Sequence, residues 1–259
     1  MDKYLKRIFA AIFVLAMVAV CIAPAVAQTE VKEKAPMYSY VGNWAIPRAQ
    51  WGEMEKANTA DQPTYEKAFK AGTLVGYGND VTIVHQGDGQ THDEWWSAMS
   101  MAELLNVLEQ FYQSGSATSG VLASATKHWD GIYVSRYYNW HKGSWKDVYT
   151  RVATYKLKPD APNDAVEMLS KNLFVPFFEK LLADGSIVEY EIDTEAIHTD
   201  NPAMFSVVYI AANAEALDKV NAALQALTKT NPLGSPALGS MVDFSAHRDE
   251  LARTNATYK

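Results

Sequence analysis

A fourteen-residue stretch occurs twice in this chain. Residues 72–85, GTLVGYGNDVTIVH, return as residues 185–198, GSIVEYEIDTEAIH, at a constant offset of 113. Five columns are identical: Gly72/Gly185, Val75/Val188, Tyr77/Tyr190, Asp80/Asp193 and His85/His198. Average residue usage would supply about one by chance. Three more columns are close: Thr73/Ser186, Leu74/Ile187 and Val84/Ile197. The chain therefore reads as two copies of one structural unit, each hung on this strand. Within the strand, Val75, Tyr77, Asn79, Val81, Ile83 and His85 share one face, and Leu74, Gly76, Gly78, Asp80, Thr82 and Val84 the other. Fourteen residues is long for a straight strand, so Gly78 marks an expected bend or bulge.

The first 27 residues stand apart from the fold. Lys3, Lys6 and Arg7 precede an apolar run from Ile8 to Ile22, and Ala25-Val26-Ala27 offers small residues for cleavage. This is the pattern of a secretory signal peptide, with Gln28 as the expected mature N-terminus and the periplasm or beyond as the destination. The one cysteine, Cys21, lies in that segment. A mature chain without cysteine has no disulfide, thiolate metal site or cysteine nucleophile. It carries 20 basic against 29 acidic residues, a net of −9. That balance argues against nucleic acid and anionic membranes as partners. A small-molecule ligand and a monomer or homodimer are the expected associations.

Residues 28–36 form a polar leader, and residues 37–145 and 146–259 the two units. In the first, Tyr38 to Ile46 alternates as a strand, Pro47 opens a helix, and Asp61-Gln62-Pro63 is expected to restart it as a second piece. Gly72 ends the helix. After the central strand come a loop, a third strand from Glu94, and the capping box Ser100-Met101-Ala102-Glu103. The helix that follows turns Leu104, Leu105, Leu108, Phe111 and Tyr112 to one side. Residues 121–145 hold Trp129, Tyr133, Tyr137, Tyr138, Trp140 and Trp145 and read as a short helix with an extended connector. In the second unit, Tyr149 to Leu157 alternates as a strand. A helix with Val166, Leu169, Leu173, Phe177 and Leu181 inward should be kinked by Pro176. A strand at 204–211, a helix with Leu217, Val220, Leu224 and Leu227, and an irregular tail complete it.

Each unit thus reads strand, helix, strand, strand, helix, with a last strand possible in the tail. That is close to the ferredoxin-like split βαβ arrangement. The expected fold class is α+β: two tandem ferredoxin-like units whose sheets pack face to face. This order of elements, at about 110 residues per copy, resembles the dimeric α/β-barrel superfamily. That group includes antibiotic-biosynthesis-type and heme-degrading monooxygenases and the NIPSNAP and EthD-like families. The paired GxxVxYxxDxxxxH strands and HxD tails are similar to a family of secreted bacterial proteins of unknown function.

Several constellations invite chemistry. His85 and His198, at equivalent strand ends, are the candidate catalytic bases, since histidine titrates near neutrality; a structural role at the turn is the alternative, and recurrence in two copies favours it. Tyr77 and Tyr190 would line the cleft wall. His128-x-Asp130 and His247-x-Asp249 could pair in an extended segment, for capping or packing. His85, Asp88, His92, Asp93 and Glu94 crowd one loop without a recognised metal spacing, and no metal is expected. The resemblance to the heme-degrading branch implies an Asn on the first strand, a Trp on the third and a His on the next helix. Asn43 and Trp95 or Trp96 match the first two. The helix has no His and the second copy has Phe205 at the Trp position, so no cofactor is expected. Asn43, Trp95 and Trp96 join Tyr77 and Tyr190 as candidate ligand contacts. No G-x-S-x-G elbow, P-loop or complete dinucleotide fingerprint is present. The expected function is binding of a small, partly aromatic ligand in a barrel cleft. The alternatives are a cofactor-independent monooxygenase or isomerase, and a structural or interaction protein.

Overall fold

A computed structural model of the chain describes residues 31–84, 89–118, 120–197, 203–230 and 234–259. The expected export signal, His85 and His198 lie outside the described residues. From Lys32 to Lys259 the chain clusters as one unit. Its first half runs β1 (Met37–Trp44), a 3-10 turn (Arg48–Gln50), α1 (Trp51–Lys70), β2 (Gly76–Thr82), β3 (His92–Ala98), α2 (Met101–Ser114), α3 (Gly120–Ala123), β4 (His128–Trp140) and the short β5 (Ser144–Trp145). The second half runs β6 (Val148–Leu157), α4 (Ala165–Leu169), a π turn (Ser170–Phe174), α5 (Val175–Ala183), β7 (Ile187–Glu195), β8 (Met204–Ala211), α6 (Ala214–Thr230), α7 (Gly234–Met241) and β9 (Val242–Tyr258).

Local chemistry sets many of these boundaries. The Ser100 hydroxyl accepts from the Glu103 amide at 3.2 Å and donates to its carboxylate at 2.9 Å, so the capping box starts α2. Gly72 and Gly185, 113 residues apart, both take left-handed φ values, 75° and 74°, just past a helix end. A side chain there would be strained, which explains why both copies keep glycine. Pro176 begins α5, and the turn before it widens to π geometry, because proline has no N–H to give and its ring crowds the preceding carbonyl. Pro63, in contrast, sits inside a continuous α1 and does not restart it. On α2, Leu104, Val107 and Phe111 are buried while Leu105 and Tyr112 are exposed, so the inward stripe lies one position off the expected one.

The sheet overturns the expected architecture. The two sheets do not pack face to face. All strand pairs are antiparallel, in the order β2-β3-β1-β4-β7-β8-β6-β9, and β2 pairs again with β9. Eight strands therefore close into one barrel, with β5 a stub on β9. The cause is strand length. β4 pairs with β1 on one side and with β7 of the other half on its second side. β9 does the same with β6 and β2. Each half lends its last strand to the other, so the halves join edge to edge and no open edge remains between them. The stretch expected to be an extended connector is β4, a wall of the barrel.

Helices cover the outer face. Under α1 and α2 lies a core of Tyr40, Tyr65, Tyr77, Trp96, Leu104 and Phe111. The second half buries Phe178, Leu181, Tyr190, Phe205, Val207 and Tyr209 in the same manner. Full burial of side chains of this size is worth about 1.5–3 kcal/mol each. The aromatic residues thus face outward to the helices, and the inner face of the barrel is left to the other residues of each strand.

Candidate functional site

The inner face encloses a cavity of about 280 Å³. Period-two alternation decides its lining. In β7, Val188, Tyr190 and Ile192 are buried, and between them Glu189, Glu191 and Asp193 point into the lumen. Asp80 enters from β2, Asp93, Trp95 and Ser97 from β3, Ser39, Val41 and Asn43 from β1, Trp129 and Tyr133 from β4, and Glu250 from β9. Six carboxyl groups and three large aromatic side chains share one small space. Of its three aromatic lining residues, Trp129 is 40% exposed.

One end is closed by Lys259. Its side chain is fully buried, and its Nζ lies 2.7 Å from Glu189 Oε1 and 2.8 Å from Glu191 Oε1. The ammonium also stands 5.0 Å from the ring centres of Trp95 and Trp140. Backbone hydrogen bonds with Gly143 in both directions fix this end of the chain. Burial opposes charge on the lysine, but Glu189 and Glu191 outweigh it and hold the ammonium above its usual range. Burial also opposes charge on the two glutamates. The Lys259 charge keeps Glu191 below the usual carboxylate range, while burial pushes Glu189 well above it.

Glycine makes this arrangement possible. A Cβ on Gly76 would lie 2.3 Å from Lys259 Cδ, and one on Gly78 would lie 2.6 Å from the Trp95 indole. Gly78 is therefore not a bend. It is the gap into which Trp95 folds. The irregularity in this part of the sheet falls on β9, where Asn255 is skipped between the pairs Asn79/Ala256 and Asp80/Thr254.

Midway along the barrel, Asp80 and Asp93 face each other in register across β2 and β3. Burial first, then the charges of Asp80 and Glu250, raise Asp93 well above its usual range. Burial raises Asp80 as well, against hydrogen bonds from Thr254 and others. Across the lumen, burial and then Glu191 raise Asp193, while the Ser135 hydroxyl donates to the Ile192 carbonyl at 2.9 Å. Burial pushes Glu250 up to about 7, with Gln90 donating to its carboxylate. Burial and the nearby Asp193 push the Tyr133 hydroxyl up to about 12. Three of these carboxylate oxygens, Asp80 Oδ1, Glu189 Oε2 and Asp193 Oδ1, meet no hydrogen-bond partner of normal geometry among the described residues. Their residues are 2%, 3% and 7% exposed. A buried polar atom without a partner is costly, and here several converge on one cavity.

The candidate residues from the sequence divide between two places. Asn43 and Trp95 line the lumen. Tyr77, Tyr190 and Trp96 do not. Tyr77 stacks on Tyr65 of α1 at 5.2 Å. Tyr190 stacks on Phe178 at 5.4 Å and donates to Glu179 at 2.6 Å. Trp96 stacks on Tyr40 at 4.2 Å and donates to the Leu104 carbonyl. All three have outward parity on their strands, opposite to the lumen. Of the crowded acidic loop, His92 meets Trp51 edge-on and Glu94 accepts from Tyr65, both outside the barrel, while Asp93 points inward. These three cannot converge on one ion. Among the described residues no group of three or more such side chains is placed to hold a metal.

The HxD pairs do form. His128 Nε2 lies 3.3 Å from Asp130, and its Nδ1 donates to the Asn43 carbonyl at 3.0 Å. His247 repeats both contacts, 3.3 Å to Asp249 and 2.9 Å to the Thr154 carbonyl. Each ring stacks on an aromatic neighbour, Trp44 or Tyr155. Neither histidine belongs to the cavity lining, so these pairs are joints of the scaffold. Sequence reasoning missed Asp80, Asp93, Glu189, Glu191, Asp193, Glu250 and Lys259 as site residues. The signal was present in 189–193, where every second residue is acidic. A strand with one acidic face ordinarily meets solvent, and only barrel closure makes that face an interior.

No family model matches the chain, and no curated protein matches it in sequence. Solved structures do share its fold. A candidate monooxygenase from Lactobacillus acidophilus aligns over 87% of this chain and 97% of its own, with a TM-score of 0.63 at 13% identity. A candidate monooxygenase from Fusobacterium nucleatum aligns over 87% and 95%, with a TM-score of 0.64 at 9% identity. An anthrone oxidase-like protein aligns over 87% and 93%, with a TM-score of 0.53 at 11% identity. At these identities the likeness is one of fold alone.

Proposed function

We propose that this chain is an exported protein whose barrel lumen binds a small, ring-bearing molecule. The observation that carries the reading is the cavity itself: about 280 Å³, walled by Trp95, Trp129 and Tyr133, with buried polar atoms left for a guest to satisfy. Pockets that orient small molecules combine flat apolar walls with a few fixed polar groups in this way. Export rests on the sequence pattern of residues 1–27, and the mass of the mature protein from a periplasmic extract tests it: a start at Gln28 is expected. No helix among the described residues is long and apolar enough to cross a membrane. Binding is tested by titrating indole and 2-naphthol against tryptophan fluorescence. Saturable quenching is expected, and Val208→Trp, which fills the lumen, should abolish it. Quenching that is equal in the filled variant would place the site elsewhere.

A second reading is proton-transfer catalysis, as in isomerisation or cofactor-independent oxygenation. It is favoured by Asp80 and Asp93, two buried carboxyl groups facing each other in register, both raised by burial above their usual range, as an acid–base pair needs. The fold neighbours, two of them candidate monooxygenases, agree with it loosely. His85 and His198 remain the proposed bases from sequence. Turnover of a ring substrate that survives His85→Ala and His198→Ala but not Asp80→Asn would assign the proton transfer to the lumen pair.

A further inference from the structure

The ring-binding reading leaves the charge of the guest open. The lumen supplies the missing argument, because it already holds one cation. The Lys259 ammonium sits between two carboxyl groups and two indole faces, fully buried. That is the chemistry of an ammonium site. Four further carboxyl groups, those of Asp80, Asp93, Asp193 and Glu250, line the same cavity, and none of them has an ion-pair partner among the described residues. Asp80 Oδ1 and Asp193 Oδ1 are buried without a normal hydrogen-bond partner. Trp129 and Tyr133 supply aromatic faces in the lining of the same cavity.

We propose that the guest is an amine carried on a ring, an arylalkylammonium, with its nitrogen among Asp80, Asp93, Asp193 and Glu250 and its ring against Trp129 and Tyr133. This inference rests on the lumen being the ring-binding site. A cation there satisfies the orphaned oxygens of Asp80 and Asp193 and offsets the crowding of like charges among four carboxyl groups in one small cavity. A neutral alcohol could donate one hydrogen bond but could not relieve that crowding. An anion would add to it. The groups that face the nitrogen are Asp80 on β2, Asp93 on β3, Tyr133 on β4, Glu189, Glu191 and Asp193 on β7, and Glu250 and Lys259 at the β9 side; only Lys259 is cationic, and it is already paired.

The test is calorimetric titration of the mature protein with four probes: 2-phenylethylamine, 2-phenylethanol, phenylacetate and propylamine. The expected result is that 2-phenylethylamine binds at least about tenfold tighter than 2-phenylethanol, a difference of about 1.4 kcal/mol, and that phenylacetate does not bind. The amine's affinity should rise between about pH 5 and about pH 8 as the lumen carboxyls ionise, while that of the alcohol stays flat. Asp193→Asn should weaken the amine about tenfold and leave the alcohol within about twofold. If the alcohol or the acid binds as tightly as the amine, the lumen takes rings but the cationic assignment is wrong. If propylamine equals 2-phenylethylamine, the ammonium site stands and the ring-binding reading falls. If no probe binds, both fall together. Because the wild-type panel alone separates these outcomes, poor folding of a variant would not rescue the proposal.

Discussion

The two halves of the barrel share a frame and differ inside it. Matching β2 and β3 to β7 and β8 at the offset of 113 aligns Gly76, Gly78, Asp93 and Trp95 with Glu189, Glu191, Ser206 and Val208. On β4 and β9 an offset of 119 aligns Gly131 and Tyr133 with Glu250 and Ala252. Every one of these lumen pairs has changed its chemistry. Outside, the pairs are kept: the left-handed Gly72 and Gly185, the stacked Tyr77 and Tyr190, the joints at His128 and His247. Even the bulges correspond, at Arg136 on β4 and at Asn255 on β9. In the lumen one acidic pair persists, Asp80 and Asp193, each beside a hydroxyl of the bulged strand, Thr254 or Ser135. Recurrence between the copies therefore marks mostly the scaffold. The function-bearing side chains are mainly where the copies differ, because a site that must hold one asymmetric guest cannot be built from two equal halves.

The largest break in this comparison should come from Lys259→Met. It removes the cation that the first half admits through its glycines and the second half holds with its glutamates. Leaving Glu191 buried and unpaired should cost about 3–5 kcal/mol in urea denaturation. The deficit should shrink at low pH, where the glutamate can take up a proton. Lys259→Met with Glu191→Gln should recover most of the loss; no recovery would show that the lysine acts by packing alone.

The pH dependence of stability comes next. Burial holds Asp93, Asp193 and Glu189 well above the usual carboxylate range and pushes Glu94 and Glu250 up to about 7. A carboxyl whose folded pKa exceeds its unfolded one stabilises the fold fully below the unfolded value of about 4, and that contribution fades as pH rises through the folded value. The barrel should therefore lose stability from about pH 4.5 to beyond about pH 7, on the order of 2 kcal/mol for each of Glu94 and Glu250 as it ionises. Thermal melts across that range measure it. Asp93→Asn should flatten the slope more than Glu191→Gln, because Glu191 lies below its usual range and works in the opposite sense. An amine guest should reverse the trend.

Gly78→Ala sharpens the same contrast at smaller scale. The added Cβ meets the rigid Trp95 indole, and the strain should cost about 1–3 kcal/mol. In the second half, where Val208 replaces Trp95 and Glu191 replaces Gly78, no such gap is needed.

Much of the frame was readable in advance. The order of elements, the capping box at Ser100, the glycines at 72 and 185, and the last strand follow from local chemistry that needs only neighbours in sequence. Closure was not readable. It depends on β4 and β9 pairing on both edges, and a strand such as 128–140 carries no local mark of whether its second edge is free. The error then spread to the site. With two sheets face to face, the aromatic face of Tyr77, Trp96 and Tyr190 had to be the interior. With a closed barrel it lies under the helices, and the acidic face turns inward. Asn43 and Trp95, singled out as ligand contacts through a resemblance, line the lumen because of strand alternation, which the resemblance did not use.

The smallest effect is the most direct check that the frame is two-fold. His128 and His247 make the same three interactions: a carboxylate two residues on, a carbonyl of the neighbouring strand, and a stacked ring. Both are partly exposed, so the ion pairs contribute little and the carbonyl bond contributes about 1 kcal/mol. Each histidine replaced by alanine should cost about 0.5–1 kcal/mol, equally within error, and neither should change ring binding in the fluorescence titration. A much larger cost at one of them would mean that the two joints carry unequal loads despite equal geometry. A loss of binding at His128→Ala alone would tie that joint to the lumen through its neighbour Trp129. It would then move the boundary between scaffold and site into the repeated columns themselves.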